Sequence, residues 1–168
     1  MPKRKKQEEE KEPTKERLLV GLVLVALTFL FLFSFAQSAG PLGEWFLRFF
    51  LWVFGRATYF LPLLLLFYAF WLLRGESISV SKILGGLFLL LALSSLLSLF
   101  AVRTGLGTEA FPSSGGAIGY LFAFLFYKLF AFSFSLILFV LWFLAGVVLA
   151  VEVDWSKIWP KREEKEER

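Results

Sequence analysis

Chemistry would have to begin with ionisable or nucleophilic side chains, and this sequence keeps almost all of them out of its long apolar runs. It has no histidine and no cysteine. The commonest general base and metal ligand is therefore missing, as are disulfides, thiolate metal sites and redox thiols. Glu44, Arg103, Glu109 and Lys128 border the apolar runs, but no two stand at a spacing that would pair an acid with a base. Gly105, Gly107, Gly115, Gly116 and Gly119 cluster without a following GK[ST], so they form no phosphate loop and are expected to serve flexibility and close turns. The third apolar run carries Ser94, Ser95 and Ser98 on neighbouring turns. Serines so placed bond back to their own helix or to a neighbouring one; the alternative is a polar lining for a solute path. Neither an enzyme nor a cofactor or metal site is expected.

The elements that hold these residues are membrane spans. Of the 168 residues, 58% are hydrophobic and 19% aromatic, and the mean hydropathy is +0.70. Such values belong to chains with bilayer-crossing segments, for which about 20 apolar residues cover about 30 Å of hydrocarbon. The expected architecture is all-α and polytopic. A charged tail, 1–17, precedes a four-helix membrane domain, 18–155, and a second charged tail follows at 156–168. The spans fall at about 18–35, 58–73, 83–102 and 133–151. Residues 40–75 form the stretch that sets the pattern, because one apolar run there is too long for a single crossing. Its first part, GPLGEWFLRFFLWVFGR, mixes Glu44, Arg48 and Arg56 with aromatics. Glu44 is assigned to the first turn of this helix, and Arg48 and Arg56 to one face of it. Rings at headgroup level and snorkelling arginines suit an interfacial helix. Gly55 and Pro62 mark the change into the second span, with Pro62 bending the helix. The stretch from Tyr120 to Val151 repeats the design, with Lys128 in its first part and Glu152, Asp154, Trp155 and Trp159 closing it.

The two halves correspond. Gly21–Phe35 aligns on Gly86–Phe100 at an offset of 65, and Gly43 aligns on Gly119 at an offset of 76. Each half reads as span, glycine-rich turn, amphipathic helix, span, which makes them parallel repeats about an axis along the membrane normal. With both tails and the 74–82 link inside, 14 Lys and Arg lie inside and four, Arg48, Arg56, Arg103 and Lys128, lie outside. The positive-inside rule then places both termini in the cytoplasm and the two amphipathic helices, before spans two and four, on the outer face. The basic KRKK cluster reads as that topology signal, so no direct nucleic-acid site is expected on this chain.

The pattern over 40–73 resembles a known family. Gly40-Pro41-x-Gly43 with Trp45, then Gly55, Tyr59 and Pro62 in FGRATYFLPLLLL, and a closing WLLRG are similar to the second helix of the four-helix membrane domain of FtsK/SpoIIIE DNA translocases. The GG-x-x-G opening with Gly116 and Gly119 before the fourth span adds to it. The resemblance implies an inner-membrane domain that anchors a hexameric double-stranded DNA pump at the division septum and meets divisome proteins. It also implies a cytoplasmic ATP-driven motor with Walker motifs. No such motif stands in these residues, so ATP hydrolysis and translocation are not carried over to them. The function expected is a non-catalytic anchor or scaffold in cell division and chromosome segregation. It would act by septal localisation and homo-oligomerisation, in contact with membrane lipids. The alternative is a small channel- or transporter-like protein.

Overall fold

The computed structural model describes residues 15–75 and 78–151. Both charged tails up to residue 14, Glu76 and Ser77 of the link, and Glu152, Asp154, Trp155 and Trp159 with the final tail lie outside the described residues. What is described is helical throughout: α1 (Lys15–Phe35), α2 (Gly40–Phe54), a 3-10 segment (Gly55–Phe60), α3 (Leu61–Leu73), α4 (Val80–Arg103), a short 3-10 turn (Thr108–Ala110) and α5 (Gly116–Val151). Four helical stretches are long and apolar enough to cross a membrane: Lys15–Phe35, Gly40–Leu73, Val80–Arg103 and Gly116–Val151. Their outward faces are greasy, with Leu22, Leu63, Ile137 and Leu141 each more than half exposed. In hydrocarbon that exposure carries no penalty, while every backbone polar group needs a partner inside the protein.

Helices α1 and α3 run antiparallel. Arg17 Nη1 donates to the Gly75 carbonyl at 3.2 Å, Gly21 faces Leu72 and Leu73, and Phe35 meets Tyr59 at 4.9 Å between ring centroids. Helix α2 is laid across the upper part of α1, so that Phe31 touches both Phe46, at 4.9 Å, and Phe50, at 5.1 Å. Three helices end on a left-handed residue, Gln37, Gly75 and Gly105, which lets the chain turn. Helix α4 carries Ser79 as its N-cap, its hydroxyl accepting from the Lys82 amide.

Helix α5 is two helices. Ala131, at φ 59° and ψ 177°, breaks it into arms 116–130 and 132–151, and the second arm folds back along the first. Phe122 meets Trp142 at 5.7 Å, Phe126 meets Phe139 at 5.4 Å, and Phe130 meets Phe134 at 5.1 Å. The core of this half is Leu99, Val102, Ala123 and Phe139, where α4 meets both arms. Ala131 is 76 residues from Gly55, which also has positive φ (56°) and ends the other amphipathic helix.

Three sequence expectations change in detail. Glu44 stands beyond the first turn of α2 and lies 3.4 Å from Arg48 instead; exposed, that pair contributes little. Arg48 and Arg56 do not share a helix, because α2 stops at Phe54 and Gly55 turns the chain. Pro62 falls in the first turn of α3, directly after the 3-10 segment, and not inside a continuous α-helix.

An L-residue in the conformation of Ala131 is strained by on the order of 1–3 kcal/mol. Its side chain is exposed. Ala131→Gly should relieve that strain while adding unfolded-state freedom worth about 0.5–1 kcal/mol. The expected net result is a gain of about 1 kcal/mol, read as a higher midpoint of unfolding in detergent. A lower midpoint would place the reversal elsewhere.

Candidate functional site

Small and hydroxylic residues let helices approach closely, and α4 carries them on two turns-long faces. At its start, Gly85 meets the backbone of Ala150 and Gly86 meets the ring of Tyr68. The Tyr68 hydroxyl sits in the space that Gly86 leaves open and donates to the Lys82 carbonyl at 2.6 Å. Lys82 is itself buried, its ammonium 3.6 Å from the Trp71 ring centroid. This staple joins α3 to α4 at the end of the molecule where α1 begins.

The second face is the seam between the two halves. Ser94, Ser95 and Ser98 are fully buried. Ser95 donates back to the Leu91 carbonyl at 2.8 Å, the local bond expected of a helical serine. The other two reach across. Ser94 Oγ donates to the Phe54 carbonyl at 3.3 Å, where α2 passes into the 3-10 segment. Ser98 Oγ accepts the Gly115 amide at 3.0 Å. Beside them the Arg56 amide donates to the Ser114 carbonyl at 2.7 Å. Thr58, also buried, closes the turn by donating to the Phe50 carbonyl at 2.8 Å.

Glycines make this contact possible. Gly55 and Gly116, both at positive φ, face each other backbone to backbone. A methyl on Gly55 would strike Ser114 and Gly116, and one on Gly116 would strike Val53 and Gly55. At Gly115 or Gly119 it would collide with the Ser94 carbonyl. The segment after Arg103 thus does not stay at the end of α4. It returns along the helix to Ser98 and Ser94, burying Ala110 and Ser114 on the way, before the first arm of α5 begins. Of the glycines expected to serve flexibility and close turns, Gly115, Gly116 and Gly119 instead make close contacts, while Gly105 and Gly107 stand in open space.

The structure brings Gly55, Gly116 and Gly119 together in this seam and places the other motif residues around it. Gly40, at φ 67°, opens α2 in free space, with Pro41 in the first turn. Gly43 lies against Ala39 and Ser34. Trp45 is exposed and stacked on Phe49 at 6.1 Å. Tyr59 covers Phe35, and Pro62 is buried. Sequence reasoning missed Ser114, Gly115 and Tyr68 as partners in these contacts. The visible signal was three serines within five residues of an apolar helix, together with GG-x-x-G. Among the described residues no group of His, Cys, Asp or Glu could hold a metal ion. The arrangement holds helices together, and its hydroxyls are committed to backbone groups.

Ser98→Ala should cost about 1 kcal/mol, because it leaves the buried Gly115 amide without an acceptor. Ser95→Ala should cost less than half of that, since its hydroxyl only supplements a helical carbonyl. Unfolding of both variants in detergent compares them, and equal losses would contradict the seam.

A family model described as the 4TM region of DNA translocase FtsK/SpoIIIE matches residues 34–162. That range takes in α2 to α5 and both sides of the seam. No curated protein and no solved structure matches the chain significantly.

Proposed function

Because the chain belongs to the family of the 4TM region of the DNA translocase FtsK/SpoIIIE, we propose that it is the non-catalytic membrane anchor of such a translocase. It holds the translocase at the division septum and lets copies of itself assemble there. The family match over residues 34–162 is the observation that carries this reading. Its partners are then membrane lipids, further copies of the chain, divisome proteins and a cytoplasmic motor. Both termini face the cytoplasm in this arrangement, supported by the 14 basic residues on that side against four on the other.

The domain organisation is a membrane unit over 18–155 between charged tails, built as two parallel repeats. The offset of 76 that aligns Gly43 on Gly119 also relates the two positive-φ breaks, Gly55 and Ala131, which supports the repeat. The rival reading, a solute path lined by the α4 serines, is disfavoured because Ser94, Ser95 and Ser98 are buried and hydrogen-bonded to protein groups.

A fluorescent fusion of the chain in dividing cells should concentrate at midcell. Gly119→Val, which forces a branched side chain into the Ser94 carbonyl, should abolish that enrichment. A uniform membrane signal from the unaltered fusion would overturn the anchor reading.

A further inference from the structure

We infer that a cleft beside Arg56 binds the phosphate of a bilayer phospholipid and lays one of its acyl chains against α4. The cations on this side of the molecule are disposed differently from one another. Arg48 has the Glu44 carboxylate at 3.4 Å. The Arg103 guanidinium lies 4.4 Å from the Phe132 ring centroid, and the Lys128 ammonium 5.8 Å from that of Phe124. Arg56 alone among these four has no carboxylate, carbonyl or ring against its side chain among the described residues.

Its backbone is nevertheless pinned. The Arg56 amide is held by Ser114 at 2.7 Å, next to the Gly115 amide held by Ser98. Ser98 lies about 7 Å short of the end of α4 at 1.5 Å per residue. The guanidinium is therefore rooted below the end of an apolar helix, where an unpaired charge is costly and an anionic partner is favoured.

The cleft has a volume of 360 Å³ and is lined by Arg56 together with Leu97, Phe100, Ala101, Leu106 and Ala110. Its two other exposed polar side chains do not compete for an anion. Thr104 donates its hydroxyl to the Phe100 and Ala101 carbonyls, and Ser113 donates to the Ala110 carbonyl. Arg56 is left as the charged donor at one side of an apolar trough. A guanidinium fork matches phosphate oxygens, and the apolar wall matches a hydrocarbon chain. A lipid phosphodiester has both parts; a free anion has only one.

The full chain, purified in detergent and titrated with phosphatidylglycerol under native mass spectrometry, tests this. The unaltered protein should retain one lipid. Arg56→Gln should weaken that binding about tenfold, the loss of charge-assisted hydrogen bonds. Arg56→Lys, which keeps the charge but loses the fork, should bind with an affinity between those of the unaltered protein and Arg56→Gln, and Arg48→Gln should change nothing. Leu106→Asp, at an exposed position of the trough wall, should weaken binding without touching Arg56. Equal affinity in Arg56→Gln and Arg48→Gln would overturn the site. Full displacement of the lipid by inorganic phosphate would assign the cleft to a free anion and overturn it as well. Should Arg56→Gln fail to fold, unchanged affinity in Leu106→Asp would count against the trough just as directly.

Discussion

Backbone amides and carbonyls cannot be left bare in hydrocarbon, and the described helices are arranged around the place where α2 ends and α5 begins. Around Gly55 the chain ends one helix and starts another, and around Gly115 it enters α5 from a segment that has doubled back along α4. Each break exposes groups that a continuous helix would satisfy. The Arg56 amide finds the Ser114 carbonyl of the other break, while hydroxyls of α4 serve the rest, Ser98 accepting from the Gly115 amide and Ser94 donating to the Phe54 carbonyl. The two halves are thereby tied at the point where either alone would be deficient.

The glycines follow from that constraint. Hydrogen bonds between backbones at this distance leave no room for a Cβ, so Gly55, Gly115, Gly116 and Gly119 are required by contact. The apolar surface plays the complementary part. Van der Waals contact in the core around Ala123 and Phe139 holds the hairpin of α5 on α4, while exposed leucines and phenylalanines face lipid. Lys82 is the one charged side chain named in these buried contacts, held against the Trp71 ring, and the frame is that of a translocase membrane-region family.

Much of the fold was legible. Four apolar runs, the punctuation at Gly40-Pro41 and Gly55, and the amphipathic stretch from Trp45 led to an all-helical membrane chain of this family. They did so because hydrocarbon permits few alternatives. The seam was less visible. Ser98 and Gly115 are 17 residues apart across a polar-looking loop, and nothing local says that the loop turns inward. Composition points the other way, since Gly, Ser and Pro ordinarily mark solvent-facing turns. The change near Ala131 was legible, since the stretch from Tyr120 is too long for one crossing and divides before the span at 133–151; that the second arm folds straight back along the first at an alanine was not. Arg56 was misplaced because helical periodicity was extended across a glycine that ends it.

Amide hydrogen exchange of the chain in lipid nanodiscs is the most direct test of the seam. The amides of Arg56 and Gly115 should exchange as slowly as those in the middle of α4, although both lie at helix breaks. Exchange as fast as that of exposed Gly107 in the same loop would show that the two halves are not tied there, and would contradict the role given to Ser98 and Ser114.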